Sequence, residues 1–351
     1  MRRPARVALS ALSLAGAAAL LAALPYVVGA DWERIGAELG RLGAVQVAGL
    51  TALWFAGLAA YTFVLTASLP GLRHHRALLM NAVGSAVSNL LPLGGAAGVA
   101  VTFAMGRGWG HRNAALAVST LVTGVWNVMA RLLLPAVGIV ALLLAGRVPD
   151  ERLATLAWFG AAVLLAALLA LVLALRSEEA ARALDGLVRR LALRLPGRPR
   201  ALLLKADGAL LDVRNRTLGV LRTGGPGLTL GMIAYLLLQA WLLQACLGAV
   251  GAGLGVAETA AVFAINRMLT TAVVTPSGAG ISETGTAALL LHFGVAPGPA
   301  AAATVLYSFY TFAIEVPFGG LAWLAWTAAR PRGRAPADGA ARAPGPSLVK
   351  K

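Results

Sequence analysis

The chain has 351 residues, of which 59% are hydrophobic and only 13% are charged. Soluble domains are about half apolar and about a quarter charged, so this composition excludes an ordinary soluble protein and indicates a polytopic membrane protein. A net charge of +16 would suggest nucleic-acid binding in a soluble chain. Here the basic residues cluster between apolar stretches, as in membrane proteins, and no nucleic-acid partner is expected.

Residues 1–30 combine a basic start with an apolar run, which is typical of a secretory signal. The run from Val7 to Gly29 is nevertheless long enough to cross the hydrocarbon layer. We therefore favour a retained first helix over a cleaved signal. Six transmembrane spans are predicted, at about 7–29, 44–69, 114–145, 153–175, 226–250 and 300–327.

Two further apolar stretches, about 77–105 and 257–293, contain internal Pro/Gly runs. The first includes SNLLPLGGAAG, from Ser88 to Gly98, and the second includes TPSGAGISE, from Thr275 to Glu283. Proline removes a backbone donor and glycine loosens a helix, so each stretch is expected to break near its middle. The half-helices that follow Gly98 and Gly280 would then present free N–H groups to a shared cavity.

The distribution of basic residues favours re-entrant hairpins at both breaks. With two hairpins, one side of the membrane carries 24 of the 30 basic residues and the opposite side carries 4. If each stretch crossed once instead, the loop 176–225 with its 11 basic residues would move outside. Positive-inside bias therefore predicts hairpins from opposite sides, with both termini cytoplasmic. Two full crossings per stretch would give the same orientation, but the segments are short for that.

A shift of 184 residues relates the two halves of the chain. It places Arg131 on Glu315 and Pro92-Leu93-Gly94 on Pro276-Ser277-Gly278. The predicted fold is an all-α polytopic membrane protein with six transmembrane helices and two re-entrant broken hairpins in an inverted repeat. One transmembrane domain would cover 1–327, with repeats at about 44–145 and 226–327 and a disordered basic tail at 328–351.

The loop 176–225 between the repeats contains an amphipathic segment. EEAARALDGLVRRLALRLP places its leucines on one helical face and most of its arginines elsewhere. Such a helix lies on anionic headgroups or serves as a cytoplasmic connector packed on the bundle. Both interpretations fit the sequence equally well.

Four charged residues lie in apolar segments, where each costs about 2.5–3.5 kcal/mol at a helix centre. They should face one another or a wet cavity, where the arginines would hold a lipid phosphate and the glutamates would neutralise them or carry a proton. Arg–Glu pairs that only fix the bundle, and an acidic residue that only complements a helix dipole at Glu283, are the structural alternatives. The predicted lipid-binding and transport residues are Arg131, Arg267, Glu283, Glu315, Asn266, Thr275, Ser277, Gly278, Gly280, Pro276, Asn89, Pro92, Gly94 and Gly95.

SNLLPLGGAAG, the span with Arg131, NRMLTTAVVTPSGAGISETG and LLLHFGV together resemble the transmembrane domain of bacterial lysylphosphatidylglycerol synthases and its stand-alone flippase-like relatives. The family signature P-x-x-P-G-G-x-G-x-x-E, laid with its last position on Glu283, covers 273–283 and matches at Pro276, Gly278, Gly280 and Glu283. The chain differs at Val273 and Ser277, where the signature has Pro and Gly, and its first hairpin carries only Ala, Val and Thr102 where relatives often have a charged residue. The resemblance implies transport of aminoacylated or other phospholipids, or of polyprenyl-linked glycolipids, across the cytoplasmic membrane, and the chain resembles the membrane half of the synthases alone.

Three functions are compatible with these features. The favoured one is a lipid flippase-like transporter of the bacterial inner membrane whose partners are lipids with an anionic headgroup. The others are a non-transporting scaffold for a cell-envelope enzyme and an intramembrane transferase that uses Glu283 as a base. No catalytic residues, cofactor or metal are expected, and a homo-oligomer or an enzyme partner is compatible with the frequent small residues.

Overall fold

The computed structural model describes residues 31–91, 94–146, 209–270 and 280–329, together with isolated positions between 155 and 179. The predicted first span, the amphipathic segment at 180–195 and residues 330–351 lie outside the described residues. The predicted span 153–175 lies outside them except for four isolated positions.

Every regular element in the described residues is helical. In chain order the helices are α1 (Trp32–Gly40), α2 (Ala44–Ser68), α3 (His74–Leu90), α4 (Gly94–Gly108), α5 (Asn113–Leu144), α6 (Ala209–Ala249), α7 (Val256–Leu269), α8 (Ile281–His292), α9 (Pro297–Ser308), a π-helical turn (Phe309–Ala313) and α10 (Glu315–Ala328).

Four helical segments are long and apolar enough to cross a membrane. They are Ala44–Ser68, Asn113–Leu144, Thr217–Ala249 and Pro297–Ala328, with mean hydropathies of 1.7, 2.1, 1.7 and 1.2. They coincide with four of the predicted spans. A helix that crosses the hydrocarbon layer needs roughly 20 apolar residues, and a stretch of that length is visible in the sequence. The prediction of an all-helical multi-pass membrane protein is confirmed.

Each Pro/Gly break separates two helices that pack against each other, α3 with α4 and α7 with α8. The long helix that follows each pair packs on the first helix of the other pair. Thus α5 contacts α7, and α10 contacts α3. This reciprocal packing joins the two helix pairs through the helices that follow them.

Positions 184 residues apart have the same local structure in the two halves. The pairs are the helix ends Gly108 and His292, the left-handed glycines Gly110 and Gly294 (φ +89° and +84°), and the helix starts Asn113 and Pro297.

The largest apolar cluster lies where α2, α6, α7, α8 and α9 meet. Phe263 and Leu290 are buried there, and the run Ala300–Ala303 has no exposed surface. Because alanine is small, α9 approaches its neighbours closely along this run. The cluster anchors the second helix pair on one side of the molecule.

The predicted start of the fifth span at 226 is wrong, since α6 begins at Ala209. The Gly224-Gly225-Pro226 run, which resembles a helix break, lies inside the helix. A Cβ at Gly224 would overlap the carbonyl oxygen of Ala67 in α2. This glycine therefore permits close helix packing, and residues 209–225 belong to α6 rather than to a loop.

The start of the half-helix in the first pair also differs from its prediction. α4 begins at Gly94 rather than after Gly98. A Cβ at Gly94 would overlap the backbone of Ser88, and one at Gly98 would overlap the Ser88 hydroxyl. Both glycines lie within the helix because they let α4 approach α3.

The last predicted span, 300–327, is not one regular helix. The π-helical turn interrupts it, with the Ile314 N–H donating to Phe309 O at 2.9 Å. Pro317 has no N–H to offer the carbonyl of Ala313, four residues earlier. Single π turns of this kind occur frequently at functional sites, and this one places Glu315 at the first turn of α10.

Two adjacent glycines of α10 provide a matched test of this packing. A Cβ at Gly319 would overlap Ala82 and Ala86 of α3, whereas one at Gly320 meets nothing within 4 Å. We expect Gly319→Ala to destabilise the protein by about 1–3 kcal/mol through overpacking. Gly320→Ala should be neutral or stabilising by up to about 1 kcal/mol. Thermal unfolding in detergent measures both, and equal transitions for the two variants would contradict the α3–α10 packing.

Candidate functional site

A polar cavity of about 270 Å³ is lined by residues of both helix pairs. Helices α3, α5, α6, α7, α8, α9 and α10 and the π turn all contribute to its lining. The four charged residues of the apolar segments, Arg131, Arg267, Glu283 and Glu315, line it together. We call it the charged cavity.

Glu283 caps the N-terminus of α8. Its carboxylate accepts hydrogen bonds from the Gly280 N–H, from the Ser282 hydroxyl at 2.9 Å and from the Ser308 hydroxyl of α9. Gly280 has φ +86°, a conformation that glycine adopts without strain. The carboxylate complements the positive end of the helix dipole, as one interpretation of the sequence proposed, and ties α8 to α9.

Glu315 connects the two halves of the molecule. Its Oε2 accepts a hydrogen bond of 3.1 Å from Asn89 Nδ2, which lies near the end of α3. A residue of the second repeat is thus held by the first helix pair. The π turn makes this contact possible by placing Glu315 beside α3.

Neither arginine of the charged cavity forms an ion pair with a glutamate within 4.0 Å. In the described parts of the chain the ion pairs are Arg34–Asp31 and Arg41–Glu38, and both are outside the cavity. Arg267 instead lies against Tyr235, with its Cζ 5.8 Å from the ring centroid. Direct Arg–Glu pairing, one of the structural alternatives, is therefore not the arrangement that the structure shows.

The charged cavity holds polar atoms that lack a hydrogen-bond partner. Among the described residues, seven buried side-chain nitrogen or oxygen atoms have none, and four of them line this cavity. They are Arg131 Nε, Arg267 Nε, Tyr307 Oη and Gln239 Oε1. Buried polar groups are normally satisfied. Gln239 Oε1 is an acceptor, whereas the other three atoms can donate and two of them belong to cations. Such a group of unpaired donors is the arrangement that binds an anion.

The asparagines predicted in apolar segments all form hydrogen bonds between helices. Asn266 Nδ2 donates to Thr286 Oγ1 at 2.8 Å, joining α7 to α8. Asn127 Nδ2 donates to the Tyr61 hydroxyl at 2.9 Å, joining α5 to α2. Asn89 and Asn266 also line the charged cavity, whereas Asn127 does not.

The glycine and proline positions of the predicted site are distributed differently. Gly280 contacts the charged cavity only through its bond to Glu283, and Gly95 lines a neighbouring cavity. Gly94 packs against the backbone of Ser88, and Ser88 lines both the charged cavity and this neighbouring cavity. Pro92, Thr275, Pro276, Ser277 and Gly278 lie outside the described residues.

Sequence reasoning missed several residues of the charged cavity. Gln239 carries an amide in an apolar span, as Asn266 does, and the same argument would have identified it. Tyr235 and Tyr307 had no such signal, because a tyrosine in an apolar helix is compatible with many environments. The missed residues are Ser85, Ser88, Tyr235, Gln239, Thr270, Ser282, Thr286, Thr304, Tyr307, Ser308, Thr311 and Phe312.

Within the part of the chain that the structure describes, no group of three or more His, Cys, Asp or Glu residues is placed to hold a metal ion. The side chains that line the charged cavity carry guanidinium, hydroxyl, amide and carboxylate groups.

Comparison with protein families gives one informative result. The family model described as the lysylphosphatidylglycerol synthase TM region matches residues 7–319. A comparison with curated proteins finds no match.

Proposed function

Because this chain belongs to the family of the lysylphosphatidylglycerol synthase transmembrane region, we propose that it moves the phosphate-bearing headgroup of a lipid across the cytoplasmic membrane. The family points to a function connected with membrane lipids, and the transport step, the site and the orientation are proposed in addition. The headgroup crosses through the charged cavity while the acyl chains remain in the lipid.

The observation that carries this proposal is the pair of buried, unpartnered arginine Nε atoms in one cavity. Arg131 and Arg267 both line the charged cavity, and two like charges that share an enclosed site repel each other. A phosphate between them would relieve this repulsion and accept their free donors, since guanidinium groups bind phosphate with paired hydrogen bonds. Glu283 and Glu315 accept hydrogen bonds from hydroxyl, amide and backbone donors, so both carboxylates have donors other than the arginines.

An apolar groove beside the charged cavity fits the other half of a lipid. It has a volume of about 330 Å³ and lies between α5 and α6, where Ile233 and Leu237 are exposed. It runs along α5 from Trp126 to Val137, about 16 Å at about 1.5 Å per residue. That length is half of a hydrocarbon core of about 30 Å.

The groove lies directly beside the cavity lining. Arg131 follows Ala130 of the groove, and Tyr235 precedes Leu236. We therefore assign the groove to an acyl chain of the same lipid whose phosphate lies between the arginines. The two sites together match an amphiphile with its chain in one leaflet.

The arrangement of the helix pairs supports a transport cycle. Discontinuous helices in inverted repeats commonly form the central site of transporters. In this chain the equivalent ends 184 residues apart and the reciprocal packing of α5 with α7 and α10 with α3 support such a repeat. We propose that the two pairs enter from opposite faces as re-entrant hairpins, and that tilting one half against the other exposes the charged cavity to each leaflet in turn.

Reconstitution into liposomes tests the proposal. With headgroup-labelled lipids, the protein should move phosphatidylglycerol between leaflets faster than protein-free liposomes do. Conversion of the lipid into a new species would instead establish an intramembrane transferase. Absence of both activities would contradict transport, and a stable enzyme partner would then favour the scaffold function.

A further inference from the structure

A second, smaller cavity of about 180 Å³ lies between α3, α4 and α5. We call it the hydroxyl cavity, because its described lining contains hydroxyl and amide groups but no charged side chain. The hydroxyl groups that matter here belong to Tyr61, Ser85, Ser88, Thr102, Thr120 and Thr123.

The hydroxyl cavity occupies the position in the first half of the chain that the charged cavity occupies in the second. At the shift of 184 residues, Thr102 and Thr120 correspond to Thr286 and Thr304 of the charged cavity. Val99, however, stands where the charged cavity has Glu283. The hydroxyls are thus retained and the carboxylate is absent.

The threonines of the hydroxyl cavity present acceptors rather than donors. Thr102, Thr120 and Thr123 each donate their hydroxyl proton to a carbonyl of their own helix, at 2.9, 2.9 and 2.8 Å. A hydroxyl has one proton and two lone pairs, so lone pairs remain for a ligand. The complementary ligand is one that carries several hydrogen-bond donors.

The two cavities adjoin each other. Ser85 and Ser88 of α3 line both of them. Tyr61 of the hydroxyl cavity and Tyr235 of the charged cavity have ring centroids 5.0 Å apart. The shared serines and the Tyr61–Tyr235 contact therefore make the two cavities immediate neighbours.

We propose that the hydroxyl cavity binds an uncharged polyol or sugar attached to the phosphate that the charged cavity holds. This inference rests on the proposed function and specifies its substrate class. Hydroxyl groups supply donors without charge, whereas an ammonium group would enter a cavity whose described lining offers no carboxylate. An unpaired charge at that depth is costly, so the site discriminates against amine-bearing headgroups.

A pair of lipids of equal charge tests the inference. Phosphatidylglycerol carries two free hydroxyls on its headgroup, and phosphatidylethanol carries none. In nanodisc binding measurements, the wild-type protein should prefer phosphatidylglycerol by about five-fold or more, as two neutral hydrogen bonds would provide. The variant Thr102→Val/Thr120→Val should lose this preference while its affinity for phosphatidylethanol stays unchanged. Thr327→Val, which removes an exposed hydroxyl at the end of α10, is the matched control and should retain the preference.

The outcomes separate this inference from the function on which it rests. Equal binding of the two lipids by the wild-type protein, or tighter binding of phosphatidylethanolamine, would overturn the hydroxyl cavity as a headgroup site and leave the arginine site intact. A second contrary result is weaker binding of both lipids by the double variant, by the same factor, with an unchanged thermal transition. That result would also overturn the hydroxyl cavity as a headgroup site. Binding of neither lipid by the wild-type protein would overturn the proposed function as well.

Discussion

Replacing Arg267 with glutamine is expected to weaken the binding of an anionic lipid by about 10- to 150-fold, because a hydrogen bond to a charged group contributes about 1.5–3 kcal/mol. Glutamine keeps hydrogen-bonding atoms at the site but removes the positive charge that attracts the phosphate. Arg131→Gln should have an effect in the same range. Affinity for phosphatidylglycerol in nanodiscs and its transbilayer rate in liposomes should fall together.

The matched control is Arg41→Gln. This substitution also removes a positive charge, but the Arg41 side chain is 74% exposed and pairs with Glu38 outside the charged cavity. Surface pairs of this kind contribute about 0–1 kcal/mol, so both binding and transport should remain close to wild type. If Arg267→Gln and Arg41→Gln behaved alike, the charged cavity would not be the phosphate site.

The variant Glu283→Gln should destabilise the second helix pair. Its carboxylate accepts bonds from Gly280, Ser282 and Ser308. Glutamine has a single acceptor oxygen and no negative charge, so the bonds from these donors would lose the strengthening that an ionised acceptor gives. A bond to a charged group is worth about 1.5–3 kcal/mol, and we expect the free energy of unfolding to fall by at least that amount. The loss of stability is measured by heating the protein in detergent and determining the fraction that remains monodisperse at each temperature.

Glu33→Gln provides the control for this substitution. Glu33 is likewise in the first turn of a helix, but it is exposed, so its replacement should change the thermal transition little. Ser308→Ala removes one donor to the same carboxylate and should be destabilising, though less than Glu283→Gln. A thermal transition for Glu283→Gln at the wild-type temperature would show that the cap does not hold α8 to α9.

The approximate positions of four spans and the identity of the charged residues could be predicted from the sequence. A helix that crosses hydrocarbon needs a length and a hydropathy that are visible in the residues themselves, and α2 (Ala44–Ser68) matches its prediction of 44–69 closely. A charge in such a segment must face a polar interior. For that reason the apolar surroundings of Arg131, Arg267, Glu283 and Glu315 in the sequence were enough to assign them to a common cavity.

Other features depended on tertiary contacts that the sequence does not display. A glycine can end a helix or let a neighbouring helix approach closely. Gly94 and Gly224 have the second role, because they pack against Ser88 and Ala67 respectively. The type of a charged residue does not reveal its partner either. Arg267 lies against Tyr235 instead of a glutamate, since the glutamates are already engaged.

Transport through the charged cavity requires that the two helix pairs enter the membrane from opposite faces, so that the cavity is reached from both leaflets. Arg112 and Ala296 are exposed residues 184 positions apart, immediately before α5 and α9. Single cysteines at these positions, in a Cys246→Ala background, report the two faces when vesicles are treated with a membrane-impermeant maleimide. We predict that Arg112→Cys reacts from the cytoplasmic face and Ala296→Cys from the opposite face. Reaction of both cysteines from the same face would contradict the opposed helix pairs and the transport mechanism built on them.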